Sequence, residues 1–204
     1  MTVTSIVPLD KRRNKILLDE DLVLVLYKGE CRRYHIEQDG ELSDEQYQEI
    51  VTTILFKRAR ERVFYLLKSS DKTEAELRRK LRGGYYPQPV IDHVIAQMKN
   101  YHYVNDDNYA RNYLENQGKR KSKRQLAFDL QRKGISEDTV RDMMEECPVD
   151  EEELVVKLLK KKHYDPENCP WEERQKLAAF LGRKGFSYEV INRTMGNFME
   201  YQVE

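Results

Sequence analysis

The chemistry legible in this chain is that of charge pairing. Between Lys119 and Lys133 stand seven cationic side chains, Lys119, Arg120, Lys121, Lys123, Arg124, Arg132 and Lys133, against Asp129 alone. Ammonium and guanidinium groups in such a run pair with carboxylates or phosphates, arginine bidentately. This group is therefore the candidate partner-binding site, able to grip acidic protein surface or a DNA backbone; the competing reading is a solvated helix face. The sign then reverses, with nine acidic residues and only Arg141 between Glu137 and Glu153. Catalysis has less to work with. There is no glycine-rich phosphate loop, and His35, His93, His102 and His163 have no evident nucleophile partner or metal spacing. Cys147, His163 and Cys169 would need a fourth zinc ligand, and no Cys-x-x-Cys pair anchors them. No catalytic residue, cofactor or metal is expected, and the protein reads as a non-enzyme.

Bulk composition agrees with a thin scaffold. Charged residues make up 35% of the 204-residue chain, well above the roughly 25% of ordinary globular proteins, so a single thick core is not expected. Basic and acidic residues are equal at 36 each, and no global charge announces a nucleic-acid or membrane partner. No apolar run reaches the length of a membrane span, and the first residues lack the basic and apolar regions of a signal peptide. Cys31, Cys147 and Cys169 are odd in number and widely spaced, as free thiols in a reducing compartment would be. A cytoplasmic monomer is expected.

The elements that must position the basic group belong to a repeat. Leu126, Leu130, Gly134, Ile135, Val140 and Met144 return as Leu177, Leu181, Gly185, Phe186, Ile191 and Met195, and precede as Leu77, Leu81, Tyr85, Tyr86, Ile91 and Ile95. Three copies at nearly constant spacing indicate duplication of one unit. Leucines four apart, a break, then apolar residues at helical spacing describe a short helix, a turn and a second helix. Glycine at the break suits a C′ position with positive φ; with Tyr85 in that column, the first turn is expected to differ. Thr73-Glu74-Ala75-Glu76 and Ser122-Lys123-Arg124-Gln125 have the form of capping boxes, and Pro170 is expected at N1 of its helix.

Taken in order, residues 1–45 read as a small β segment, with strands at Val3–Val7, Lys15–Leu18 and Leu22–Tyr27. Lys28–Ile36 is open between a strand and a short helix. Ser43-Asp44-Glu45-Gln46 starts a helix whose apolar spacing runs from Tyr47 to Leu67. Three-helix modules then follow at 46–105, 106–150 and 151–204, the second with helices near 107–117, 123–133 and 137–146, the third ending in a helix over 187–199. The fold class is mainly α, a tandem array of three three-helix modules with a small N-terminal sheet. Each module is too small to bury much apolar surface alone, so neighbours must cover one another and the array is expected to be elongated.

Four stretches in this order carry a family resemblance: Thr73-Glu74-Ala75-Glu76-Leu77; Tyr103-Val104-Asn105-Asp106 followed by Asp107-Asn108-Tyr109-Ala110; Arg124 to Ile135; and Arg183-Lys184-Gly185-Phe186. Over essentially its whole length the chain resembles the RecX proteins, bacterial regulators of the RecA recombinase. Asn105, Ser70 and Tyr85 depart from the family pattern, where aspartate, arginine and glycine are usual. The resemblance implies a non-enzymatic regulator that lies along the groove of the RecA filament on single-stranded DNA and inhibits or disassembles it. It would thereby modulate recombination, DNA repair and the SOS response. The RecA filament is then the expected partner, with single-stranded DNA as a further one. The rival reading is a stand-alone nucleic-acid-binding protein, helix-turn-helix-like or single-strand-binding. Against it, the helix after the second turn carries Glu137, Asp138, Asp142, Glu145 and Glu146, which phosphate would repel.

Overall fold

The computed structural model describes residues 1–19 and 22–196, in two compact units, residues 1–105 and 106–204. In the first, β1 (Val3–Pro8), β2 (Arg13–Leu18) and β3 (Val23–Tyr27) form an antiparallel sheet in chain order. Ile6 pairs with Ile16 and Ile16 with Leu24. The period-2 pattern buries Ile16, Leu18, Leu24 and Leu26. Asp10 shapes the β1–β2 turn: its carboxylate accepts the N–H groups of Arg12 and Arg13 and the Nε–H of Arg13. Those bonds, the Arg12 one foremost, hold its pKa down to about 2.

The open stretch after β3 is helical, α1 (Lys28–Arg33). α2 (Asp44–Glu49) starts with the expected capping box, Ser43 Oγ accepting the Gln46 N–H while the Gln46 side chain accepts the Ser43 N–H. Regular winding then breaks. Ile50–Leu55 forms a widened π turn in which the Phe56 N–H reaches the Val51 carbonyl, and α3 (Phe56–Ser69) continues from it. The Thr52 and Thr53 hydroxyls donate to the carbonyls of Gln48 and Glu49 at 2.7 and 2.6 Å, serving acceptors that the wide turn disturbs. α4 (Glu74–Arg82) and α5 (Gln88–Asn100) complete the unit. The Thr73 capping box forms as expected. One core runs from the sheet, through Leu24 and Leu26, to Ala59, Leu77, Ile91 and Met98 of the helices.

The second unit holds α6 (Asp106–Gln117), α7 (Lys123–Arg132), α8 (Glu137–Glu146), α9 (Glu151–Lys161), α10 (Trp171–Arg183) and α11 (Tyr188–Met195). Of the helix expected over 187–199, residues 197–199 lie outside the described residues. Leu126, Leu130, Ile135 and Val140 centre one core and Val155, Leu181, Ile191 and Met195 another, while Val149 packs against both. Pro170 stands at the N-cap of α10 and Trp171 is its first residue. The proline therefore sits one position earlier than the expected N1.

The repeat survives in three dimensions. Leu81, Leu130 and Leu181 are all fully buried. After α7 the Ile135 N–H bonds to the Leu130 carbonyl and the Gly134 N–H to that of Gln131, with φ +88 at Gly134, a Schellman turn. After α10, Phe186 and Leu181, Gly185 and Gly182 repeat it, with φ +87 at Gly185. The first copy corrects the expectation of a different turn. Tyr86 bonds to Leu81 and Tyr85 to Arg82 in the same way, with φ +60 at Tyr85. Closing the helix outweighs the roughly 1–2 kcal/mol of left-handed strain on an L side chain. Lys15 Nζ, 4.7 Å from the Tyr85 ring centroid, offsets part of it.

Candidate partner-binding site

The seven predicted cations do not act as one cluster. Lys119 and Arg120 are exposed on the α6–α7 loop. Lys121 turns inward, its Nζ 2.7 Å from Asp129 Oδ2 and 2.8 Å from the Tyr113 hydroxyl. The Asp129 bond raises the lysine's pKa, and the same bond holds the Asp129 carboxyl below its usual range. Lys121 is therefore a clasp between α6 and α7 and leaves the candidate surface. Lys123 and Arg124 are exposed in the first turn of α7. Cations are disfavoured at a helix N-terminus; here Glu151 Oε1 accepts the Lys123 N–H at 2.8 Å and supplies the negative charge that end favours. At the other end, Arg132 lies over the Phe128 ring at 5.8 Å and Lys133 Nζ over Tyr109 at 5.3 Å.

What the fold adds is a shallow cleft lined by Arg124, Gln125, Phe128, Gly182, Arg183 and Gly185. It exists because the start of α7 docks onto the turn after α10. Ser122, fully buried, accepts the Gln125 N–H through Oγ and donates its own proton to the Lys184 carbonyl at 2.8 Å. A Cβ at Gly185 would lie 2.7 Å from that Oγ, so this glycine is required by contact as well as by φ. The docking brings Arg183 beside Arg124 and leaves Phe128 58% exposed between cations. Sequence reasoning missed Phe128 and Arg183 as site residues. The available signal was the echo of Arg132-Lys133-Gly134 in Arg183-Lys184-Gly185. The arrangement offers an aromatic face framed by guanidinium forks, suited to an acidic or phosphate-bearing surface.

Three of the histidines sit at helix ends and the fourth in a ring stack. His35, His102 and His163 adopt positive φ where α1, α5 and α9 end, with the next residue bonded back to Cys31, Met98 and Leu159. His93 stacks on Phe56 with ring centroids 4.0 Å apart. Among the described residues, no cluster of histidine, cysteine or carboxylate side chains could hold a metal, and no helix is long and apolar enough to cross a membrane.

Fold and site together define a protein of tandem three-helix modules with a cleft framed by exposed cations. Comparison with known proteins makes the class particular. Residues 59–98, 105–144 and 150–195 match the family models of the first, second and third three-helix domains of RecX. The regulatory protein RecX of Bacillus velezensis is 30% identical over 190 residues, covering 90% of this chain and 71% of that one. That of Clostridioides difficile is 26% identical, covering 94% and 93%. The chain belongs to the RecX family. In fold it matches a crystal structure of regulatory protein RecX with a TM-score of 0.62 at 21% identity, over 95% of this chain and 98% of that one. A RecX structure from Lactobacillus salivarius matches with a TM-score of 0.60 at 21% identity, over 71% and 96%.

Proposed function

We propose that this protein is a non-enzymatic regulator that binds the RecA filament on single-stranded DNA along its groove and inhibits or disassembles it. The observation that carries this reading is the match of all three three-helix domains, in order, to RecX. The segments 1–45, 46–105, 106–150 and 151–204 are its working parts, acting as a monomer in the cytoplasm. Lys119, Arg120, Lys123, Arg124, Arg132 and Lys133 contribute the grip on the filament, and Lys121 supports them from within the module. Phe128 adds an exposed ring to the α7 side of the cleft, and Arg183 extends the surface on the α10 side.

The test is direct. Alanine at Lys123, Arg124, Arg132 and Lys133 should weaken inhibition of RecA ATP hydrolysis at least tenfold while leaving the circular dichroism spectrum unchanged. Filament length followed in parallel distinguishes blocked growth from active loss. Unchanged inhibition removes this surface from consideration.

A further inference from the structure

Two residues of the cleft between α7 and the end of α10 break the repeat that built it. In the column of Phe128 the first copy has Arg79 and the third Ala179, neither of which puts a ring there. In the column of Gly182 the first copy has Arg82 and the second Gln131, long side chains at exposed positions. Glycine weakens a helix, because it gives up more backbone freedom on folding than any other residue. A fold keeps one where φ must be positive or where a neighbour leaves no room for Cβ. Gly185 meets both conditions. Gly182 meets neither: it sits in the last turn of α10, its φ is not positive, and nothing lies within 4 Å of its Cβ position. Yet it lines the cleft beside Arg183, with Arg124 and Phe128 on the α7 side. A glycine that the fold does not require, on the wall of a cleft, marks where something from outside comes close to the backbone.

The cleft, about 340 Å³ in volume, has walls of opposite polarity. The α7 wall is the start of a helix and carries Arg124, so it favours an anion. The α10 wall is the carbonyl end of a helix, stripped of its side chain at Gly182, and favours hydrogen-bond donors. A sugar–phosphate backbone brings acceptors and negative charge to both walls and suits only the first. A protein segment brings what each wall wants: a carboxylate for the guanidinium groups of Arg124 and Arg183, and backbone N–H groups for the carbonyl end. Phe128 then offers its exposed ring to an apolar side chain of the same segment. We propose that Gly182 is a specificity-determining contact, over which an acidic, partly apolar segment of the RecA filament subunit passes at backbone distance. The inference rests on the filament reading above, and it adds the chemistry of the segment that the cleft takes and the residue that lets it approach.

The experiment titrates the full chain against preformed RecA filaments on single-stranded DNA, reads the concentration that halves ATP hydrolysis, and pairs each titration with a thermal melt. Gly182→Ala should melt about 2 °C higher than wild type and yet need at least about threefold more protein. Gly182→Gln, which restores the residue of the second copy, should need at least about tenfold more with an unchanged circular dichroism spectrum. Gln131→Gly, the converse exchange in the second copy, should inhibit within about twofold of wild type. With no recombinase present, Gly182→Gln should treat end-labelled oligo-dT as wild type does in fluorescence anisotropy. A better-folded variant that inhibits less has lost a contact, since a merely structural role would move both readings the same way. The inference alone is overturned if wild type inhibits and Gly182→Gln inhibits as well. It is overturned equally if Gly182→Ala melts lower, which would reveal a packing need, or if Gly182→Gln loses oligo-dT binding in step with inhibition, which would give the cleft to a strand. A wild-type chain without effect on ATP hydrolysis overturns the filament reading and takes this contact with it.

Discussion

Gly185 and Gly182 lie three residues apart in the same helix end and predict opposite outcomes. At Gly185 a methyl group would meet positive φ and the Ser122 oxygen together, so Gly185→Ala should cost about 2–4 kcal/mol in denaturant unfolding. At Gly182 nothing lies within 4 Å of the Cβ position, and Gly182→Ala should gain about 0.5–1 kcal/mol from helix propensity. Charge at the residue scale gives a pH signature. Because hydrogen bonding to Lys121 depresses the Asp129 pKa, its contribution is complete above the unfolded carboxylate range near about 4 and fades as pH falls through the folded value. The raised pKa of Lys121 keeps the partner charged beyond the ordinary lysine range. Asp129→Asn should therefore cost about 1 kcal/mol across neutral pH, with the difference from wild type shrinking below about pH 4.

At the scale of elements, the docking of α7 onto the α10–α11 turn is a coupled contact. Ser122→Ala should cost about 1 kcal/mol for the lost cap, more for the Lys184 carbonyl it leaves behind. In that background Gly185→Ala should cost about 1 kcal/mol less than in wild type, since the clashing oxygen is gone; additivity in the double-mutant cycle would remove the contact from the account. Most elements were legible in advance, because capping residues such as Ser43, Thr73 and Ser122 and leucines four apart act locally. The exceptions have physical reasons. Ile50, Val51, Ile54 and Leu55 satisfy a regular helical period, so nothing in their spacing reveals the wide turn. Tyr85 violates the glycine rule because the carbonyls of Leu81 and Arg82 impose the turn on whatever residue follows. The cleft around Phe128 was not legible, since Arg124 and Arg183 are far apart in sequence and meet only through docking.

At the scale of the molecule, charge balance hides segregation: a neutral chain carries a basic α7 and an acidic α8. Each unit's core is built from its own residues. Separately expressed 1–105 and 106–204 should therefore each unfold cooperatively in thermal melts; a non-cooperative melt of either would show that its core needs the other. The wide turn at Ile50–Leu55 also bears on how chains of this kind change length over evolutionary time. A helix that has taken in one surplus residue and parked it as local slack can surrender that residue without turning the faces beyond it. Deleting Thr52 should leave Ala59, Val63 and Leu66 aimed at the core and shift the melting temperature by only a few degrees. Deleting Arg60, where no such slack exists, would swing Val63 and Leu66 by about 100° and unfold the unit.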